Sequence, residues 1–301
     1  MPIILITLLL GAGFAPVFAQ SPQVSQGQLQ RLENFASQFV QARNIDIWLP
    51  PGYSNSQRYA VLYMHDGQML FDSTTTWNKQ EWGVDEILGT LQTEGKMRPC
   101  IVVGMWNTGA TRHSEYFPQK PQQLLPKVLR DSLQALELKG QAQADAYLKF
   151  IVRELKPFID KNFSVHTDAA HTFVMGSSMG GLISMYALAE YPQVFGGAGC
   201  LSTHWPGSLT RTPNIIPEAF NRYLAQKLPK LIKMKRKIYF DYGTATLDSL
   251  YPPLQAKIDE TMRQAGFPAA QWTSRKFEGE DHSERAWRKR LAIPVLFLMG
   301  I

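Results

Sequence analysis

The chain has 301 residues, of which 45% are hydrophobic, 11% aromatic and 19% charged. That balance excludes a disordered or fibrous chain and suits a folded protein with a sizeable core. The formal charge of +6 is mild, and its two basic clusters, at 230–237 and 285–290, fall on predicted helices or just before a strand. We read both as solvated faces, so nucleic acid is not expected as a partner.

Residues 3–10 form an apolar run, and Ala19-Gln20 has the small-residue spacing of a signal-peptidase cut. We expect residues 1–19 to be a signal peptide and the mature chain to be exported, periplasmic or secreted, with no lipid anchor indicated. No later segment is long and apolar enough to span a membrane. The polar stretch after residue 21 reads as helical or irregular. Residues 43–50 alternate apolar and polar side chains, a strand stopped by Pro50-Pro51-Gly52. Residues 59–64 are a buried strand that runs into His65-Asp66-Gly67-Gln68.

A helix is predicted over 82–91 and another buried strand over 100–105. Residues 118–145, punctuated by Pro and Gln, read as a small inserted helical cap. Leu148, Ile151, Val152 and Leu155 recur at helical spacing within 147–158. A short strand at 172–175 and a helix over 182–191, stopped by Pro192, come next. Strands follow at 197–201, 238–242 and 271–277, with a helix over 254–265 that has Gly266 just past its end, as a C-cap should be. Short buried strands alternating with helices predict an α/β fold, a mostly parallel sheet covered on both faces. No linker divides it, so residues 20–301 are expected to form a single domain.

One constellation carries chemistry. Gly176-Ser177-Ser178-Met179-Gly180 is G-x-S-x-G between a predicted strand and a predicted helix. The sharp turn pushes the serine hydroxyl out from the top of a sheet, and its flanking positions have no room for side chains. About 0.1 such matches would arise by chance in a chain of this length. The helix N-terminus adds free N–H groups for a developing oxyanion. A serine nucleophile needs a base, and the base an orienting acid, in the chain order Ser, acid, His. Only His204 and His282 follow Ser178. His282, in Gly279-Glu280-Asp281-His282-Ser283 directly after the last strand, is the candidate base. Asp248, in the loop after 238–242, is preferred as the acid because a loop carboxylate can turn toward the histidine. Asp241, inside the strand, is the alternative. The two oxyanion donors would be the N–H groups of Met179, just after the nucleophile, and Gln68, after the strand at 59–64.

Several segments together resemble the esterase family of the α/β hydrolases, which includes enterochelin esterases, feruloyl and acetyl esterases, and mycolyltransferases. They are Asp46-Ile47-Trp48-Leu49-Pro50-Pro51-Gly52-Tyr53, Tyr63-Met64-His65-Asp66-Gly67-Gln68, Arg112 with Glu115-Tyr116, the run from Gly176 to Gly181, Tyr191-Pro192 with Phe195-Gly196, and the run from Asp281 to Trp287. The resemblance covers roughly residues 43–298 and implies the α/β-hydrolase fold. It also implies a serine esterase working through an acyl-enzyme, with Ser178 and His282 in the nucleophile and base positions. It matches the acid less well, because relatives often place it closer behind the Gly-Thr pair than Asp248 stands. In such a sheet the strands holding Cys100 and Cys200 are not neighbours, so two free, buried thiols are expected.

Trp77, Trp82, Trp106 and Trp205 lie near the carboxyl ends of strands, where they could wall an aromatic or sugar-like pocket or simply pack the core. Arg112 could grip a substrate anion or pair with Glu115, and His204 could line the site. No H-E-x-x-H, paired C-x-x-C or phosphate loop occurs, so neither metal nor cofactor is expected. The expected partner is a small-molecule ester of carbohydrate or siderophore type. An acyltransferase of the same fold is the alternative, with a catalytically silent binding protein behind it.

Overall fold

The computed structural model describes residues 22–210 and 213–301. The signal peptide expected at 1–19 and its cut at Ala19-Gln20 lie outside these residues. The strands form one sheet in the order β1-β2-β4-β3-β5-β6-β7-β8. They are β1 (Gln28–Phe35), β2 (Arg43–Leu49), β3 (Ala60–His65), β4 (Cys100–Met105), β5 (Thr172–Ser177), β6 (Gly197–Leu201), β7 (Lys237–Gly243) and β8 (Trp272–Phe277). β1 and β2 run antiparallel at one edge, and every pairing from β4 to β8 is parallel.

Strand alternation divides the core. Val61 and Tyr63 of β3 join the apolar cluster on one face, whereas Leu62 and Met64 join the other. The first face is covered by α4 (Ala144–Phe150), α5 (Lys156–Asn162), α6 (Met179–Glu190), α7 (Ile216–Lys233) and α8 (Pro252–Gln264). The second is covered by α1 (Val84–Thr93), α9 (Glu284–Arg290) and α10 (Ala292–Met299). In α6 every residue but the last is buried, as expected of a helix apolar on all sides.

β1 corrects the helical or irregular reading of the segment after residue 21. It is an edge strand, half exposed along its length, so its polar side chains reach water and leave little apolar alternation to read. Arg31 on it forms a bidentate pair with buried Asp46, at 2.7 and 2.8 Å. Ahead of it, the Gln23 N–H donates to Asp72 at 2.8 Å, and the Ser25 N–H and hydroxyl donate to buried Asp85 at 2.7 and 3.0 Å.

The segment expected to be a cap contains a 3-10 turn (Lys120–Leu124) and α3 (Lys127–Leu136), preceded by the short α2 (Arg112–Tyr116). It is fastened to α6, where the Lys120 N–H donates to the Tyr186 hydroxyl at 3.2 Å. Cys100 and Cys200 are free and buried, on strands separated by β3 and β5. Burial alone pushes the Cys100 thiol up to about 12. Among the described residues no helix is long and apolar enough to cross a membrane.

Candidate active site

Ser178 stands between the central strand β5 and α6, with φ 57° and ψ −122°, a conformation that L-residues avoid. The turn is tight enough that a Cβ on Gly176 would lie 2.8 Å from the Gly180 carbonyl carbon. Two backbone hydrogen bonds hold the serine to the end of β6 and the loop after it. The Ser178 N–H donates to the Leu201 carbonyl at 2.9 Å, and the His204 N–H donates to the Ser178 carbonyl at 3.1 Å.

His282 follows β8, with its N–H donating to Thr246 Oγ1 at 3.0 Å. Its Nδ1 lies 2.5 Å from Asp248 Oδ1. The other oxygen of Asp248 accepts from Ser202 Oγ and from the Gly243 N–H, both at 2.6 Å. Burial would raise this carboxyl, but the hydrogen bonds from His282, Ser202 and Gly243 outweigh it and hold the group below its usual range. Ser202 Oγ in turn accepts from Trp287 Nε1 at 3.0 Å and from Arg290 at 2.9 Å. Edge-on rings of Trp287 and Tyr251 flank the His282 imidazole, at 5.0 and 5.9 Å between centroids.

Asp241, the alternative acid, faces elsewhere. It accepts from Arg290 Nε and Nη2 at 3.2 and 3.1 Å and from the Tyr239 hydroxyl at 3.0 Å. Burial pushes its carboxyl up despite Arg290. Arg290 is itself buried, which corrects the solvated-face reading of 285–290 at that position.

Across the cleft, Gln68 lies in a 3-10 turn (Gly67–Met69) and Met179 opens α6. Amides at such starts have no acceptor within the helix. The two turns adjoin, since a Cβ on Gly180 would sit 3.3 Å from Asp66 Oδ2. Gly67 is needed for close packing: a Cβ there would lie 2.6 Å from the Gly104 backbone.

Arg112 pairs bidentately with Asp66, at 2.7 Å for both bonds, while Glu115 takes Arg43 at 2.8 Å. Burial would raise the Asp66 carboxyl, but Arg112 and Asn107 hold it below its usual range. Beside it, burial drives His65 down to about 3.

Ser178 and His282 line one cleft of about 730 Å³, together with Asp66, Gln68, Trp77, Trp82, Asn107, Arg112 and Trp287. Trp77 is 84% exposed. No residue of 118–145 lines this cleft. Trp205 does not line it either. It is buried, donates to Gln255 at 2.7 Å and borders a separate cavity. Trp106 donates to Asp46 at 2.7 Å. His204 sits behind Ser178, with Nδ1 2.9 Å from the Tyr251 hydroxyl, and burial lowers it to about 3.

Sequence reasoning missed Ser202, Tyr251 and Arg290. Ser202 and Tyr251 carry no periodic or motif signal, and Arg290 was hidden inside a basic run. Among the described residues, a trio of His166, Asp168 and His171 brings ligand atoms within 4.8 Å of one another. It lies just before β5, at the end of that strand opposite Ser178. Asp168 already accepts from the Ala170 N–H, and His171 Nδ1 is 2.9 Å from it.

The chain matches the protein family described as "Putative esterase" over residues 36–298. It is 26% identical over 282 residues to an endo-1,4-beta-xylanase/feruloyl esterase of Xylanibacter ruminicola, covering 91% of this chain and 32% of that protein. Ferri-bacillibactin esterase BesA of Bacillus subtilis is 25% identical over 167 residues, covering 52% of this chain and 53% of that protein. The chain thus spans about a third and about half of these two relatives. Among solved structures, the enterobactin esterase FES from Shigella flexneri superposes with a TM-score of 0.64 at 17% identity, over 92% of this chain and 60% of that one. At that identity the likeness speaks for the fold.

Proposed function

We propose, on the premise that the chain belongs to this esterase family, that it hydrolyses carboxylic esters through an acyl-enzyme on Ser178. The observation that carries the reading is the buried Asp248, hydrogen-bonded on both oxygens and set 2.5 Å from His282 Nδ1, beside the cleft that Ser178 shares. A carboxylate so held fixes the imidazole tautomer, leaving Nε2 free as a base, and stabilises the imidazolium once it forms. His282 takes the Ser178 proton as Oγ adds to the ester carbonyl. The Met179 and Gln68 amides receive the oxyanion, and His282 then protonates the leaving alcohol. Water, activated by the same imidazole, releases the acid. The exposed Trp77 offers flat apolar surface at the cleft, so an ester bearing an aromatic or sugar ring suits the wall. The feruloyl and ferri-bacillibactin esterase relatives support starting a substrate panel there.

The test is labelling by a fluorophosphonate probe with peptide mapping, alongside turnover of that panel. We expect one adduct, on Ser178, and loss of turnover by at least about 10³-fold in Ser178→Ala. Wild-type rates in that variant would remove the assignment.

A further inference from the structure

Ser202 stands one residue past β6 and does not line the cleft, yet it holds the far oxygen of the acid. It is fully buried, and its Oγ lies 2.6 Å from Asp248 Oδ2, 3.0 Å from Trp287 Nε1 and 2.9 Å from Arg290 Nη2. A hydroxyl has one proton and two lone pairs, whereas an indole N–H and a guanidinium can only donate. Trp287 and Arg290 therefore occupy both lone pairs. The single Ser202 proton is left with one acceptor, Asp248 Oδ2.

The surroundings hold that hydroxyl still. The Ser202 N–H donates to the Asp241 carbonyl at 2.8 Å, which fixes the backbone against β7. Trp287 and Arg290 are three residues apart on α9 and so share one face of it. Arg290 is gripped by Asp241 through two nitrogens, and its guanidinium carbon lies over Phe277, 5.0 Å from the ring centroid. Ser202 also keeps φ at 41°, in the left-handed region that a non-glycine residue occupies only at a cost. A serine that served only to turn the chain would be better replaced there by glycine.

We propose that Ser202, its proton directed by Trp287 and Arg290, is a positioning residue for the reaction: its hydroxyl pins Asp248 Oδ2 so that Oδ1 stays on His282 Nδ1. The inference rests on the serine-esterase reading above. Oδ2 is taken by Ser202 and by the Gly243 N–H, each at 2.6 Å, so the carboxylate cannot rotate without breaking both bonds. The imidazole keeps its proton on Nδ1 and presents Nε2, first to Ser178 and then to water. Each donor to the carboxylate also lowers the affinity of the Asp248–His282 pair for an added proton, whichever of the two takes it. The other charged groups around the pair have partners of their own. Arg290 holds Asp241, Arg285 holds Asp281, Lys289 holds Glu280, Asn78 holds Glu284, and across the cleft Arg112 holds Asp66. Burial keeps the nearby His204 and the Tyr251 phenol neutral.

The experiment compares wild type, Ser202→Ala, Ser202→Gly and Trp287→Phe across pH with a chromogenic aryl acetate, reading kcat, KM and the acid limb of kcat/KM. Both Ser202 variants should lose about 10- to 100-fold in kcat, the scale of one hydrogen bond to a charged group, with KM within about twofold. Their acid limb should move up, by about one pH unit or less, because the pair binds a proton more readily without the Ser202 donor. Trp287→Phe keeps a ring beside His282 and keeps the Ser202 hydroxyl, so its limb should move the same way by less. It reads the same bond even if neither Ser202 variant folds. Glycine suits φ 41°, so wild-type kcat in Ser202→Gly would overturn the proposal by showing that only the turn matters. So would an acid limb that stays in place or moves down, the direction expected of an imidazole that has merely lost its carboxylate. Ser178→Ala, run beside these, separates the two readings. Full turnover there removes the esterase reading and this inference with it, whereas a dead Ser178→Ala beside an unaffected Ser202→Gly removes this inference alone.

Discussion

The two sides of the cleft are built on opposite plans. Behind His282, each oxygen of Asp248 has a partner, Ser202 Oγ joins three neighbours, and Arg290 closes the network on Asp241. At the mouth, Trp77 stands 84% exposed on a loop that leans on α9 through Asn78 to Glu284, at 2.8 Å, and Gln80 to Arg285, at 3.2 Å. The buried side fixes one imidazole orientation and leaves no slack for it. On the proposed reading, the exposed side presents the surface that an incoming ester would meet. Chemistry and selection can therefore vary independently in this chain, and mutations should sort by side.

The sharpest way to break the comparison is to exchange the two buried carboxylates for amides, one at a time. Asp248→Asn should lower kcat by about 10³- to 10⁴-fold with a modest change in Tm, because the amide favours the wrong imidazole tautomer. Asp241→Asn should instead leave Arg290 buried and partly unpaired. We expect it to cost about 3–5 kcal/mol in denaturant unfolding, with a much smaller loss of kcat in the protein that remains folded. Reversed outcomes would mean that the acid has been assigned to the wrong strand end.

Acid should act on the buried side next. His65 and His204 are held neutral, each lowered by burial from 6.5 to about 3. The unfolded chain takes up both protons as pH falls through 6.5, and the folded chain takes them up only near 3. Stability from this source is therefore full above about pH 7 and drains as pH falls toward 3, at up to roughly 1.4 kcal/mol per pH unit for each histidine. Asp66 and Asp248 are depressed carboxylates, so their contribution is lost only below their usual 3.8. Denaturation midpoints between pH 7.5 and 4.5 give the slope, and His204→Gln should remove one histidine's share. An unchanged slope in that variant would show that His204 is not held neutral.

The smallest effect belongs to the mouth. Trp77→Ala should raise KM about tenfold or less for an aromatic ester and leave kcat and acetyl esters nearly untouched. A large drop in kcat there would join the two sides after all.

What could be read in advance follows the same division. The parallel strands were legible because burial on both faces leaves continuous apolar runs, and the elbow because its glycines answer a steric demand seen at Gly176 and Gly180. Ser178, His282 and Asp248 could be ordered along the chain because the sheet brings successive strand ends to one edge. β1 escaped because an edge strand shows water a polar face. Arg290 escaped because the other basic residues of its run, Arg285, Arg288 and Lys289, reach solvent and its partner lies 49 residues away. Tyr251 escaped because its significance comes from a loop after β6 that no local pattern links to it.

The hydrogen bonds from Gln23 and Ser25 to Asp72 and Asp85 have a consequence for handling the molecule. Asp72 begins the stretch that carries Trp77 and Asp85 lies in the first turn of α1, so residues 23–26 tie both ends of the entrance loop. A protease nick in that short strip would remove nothing from the reaction machinery, yet it would unclip the doorway. Two preparations of equal specific labelling could then differ in which esters they prefer, so an intact strip is the first thing to verify by mass before substrate preferences are compared.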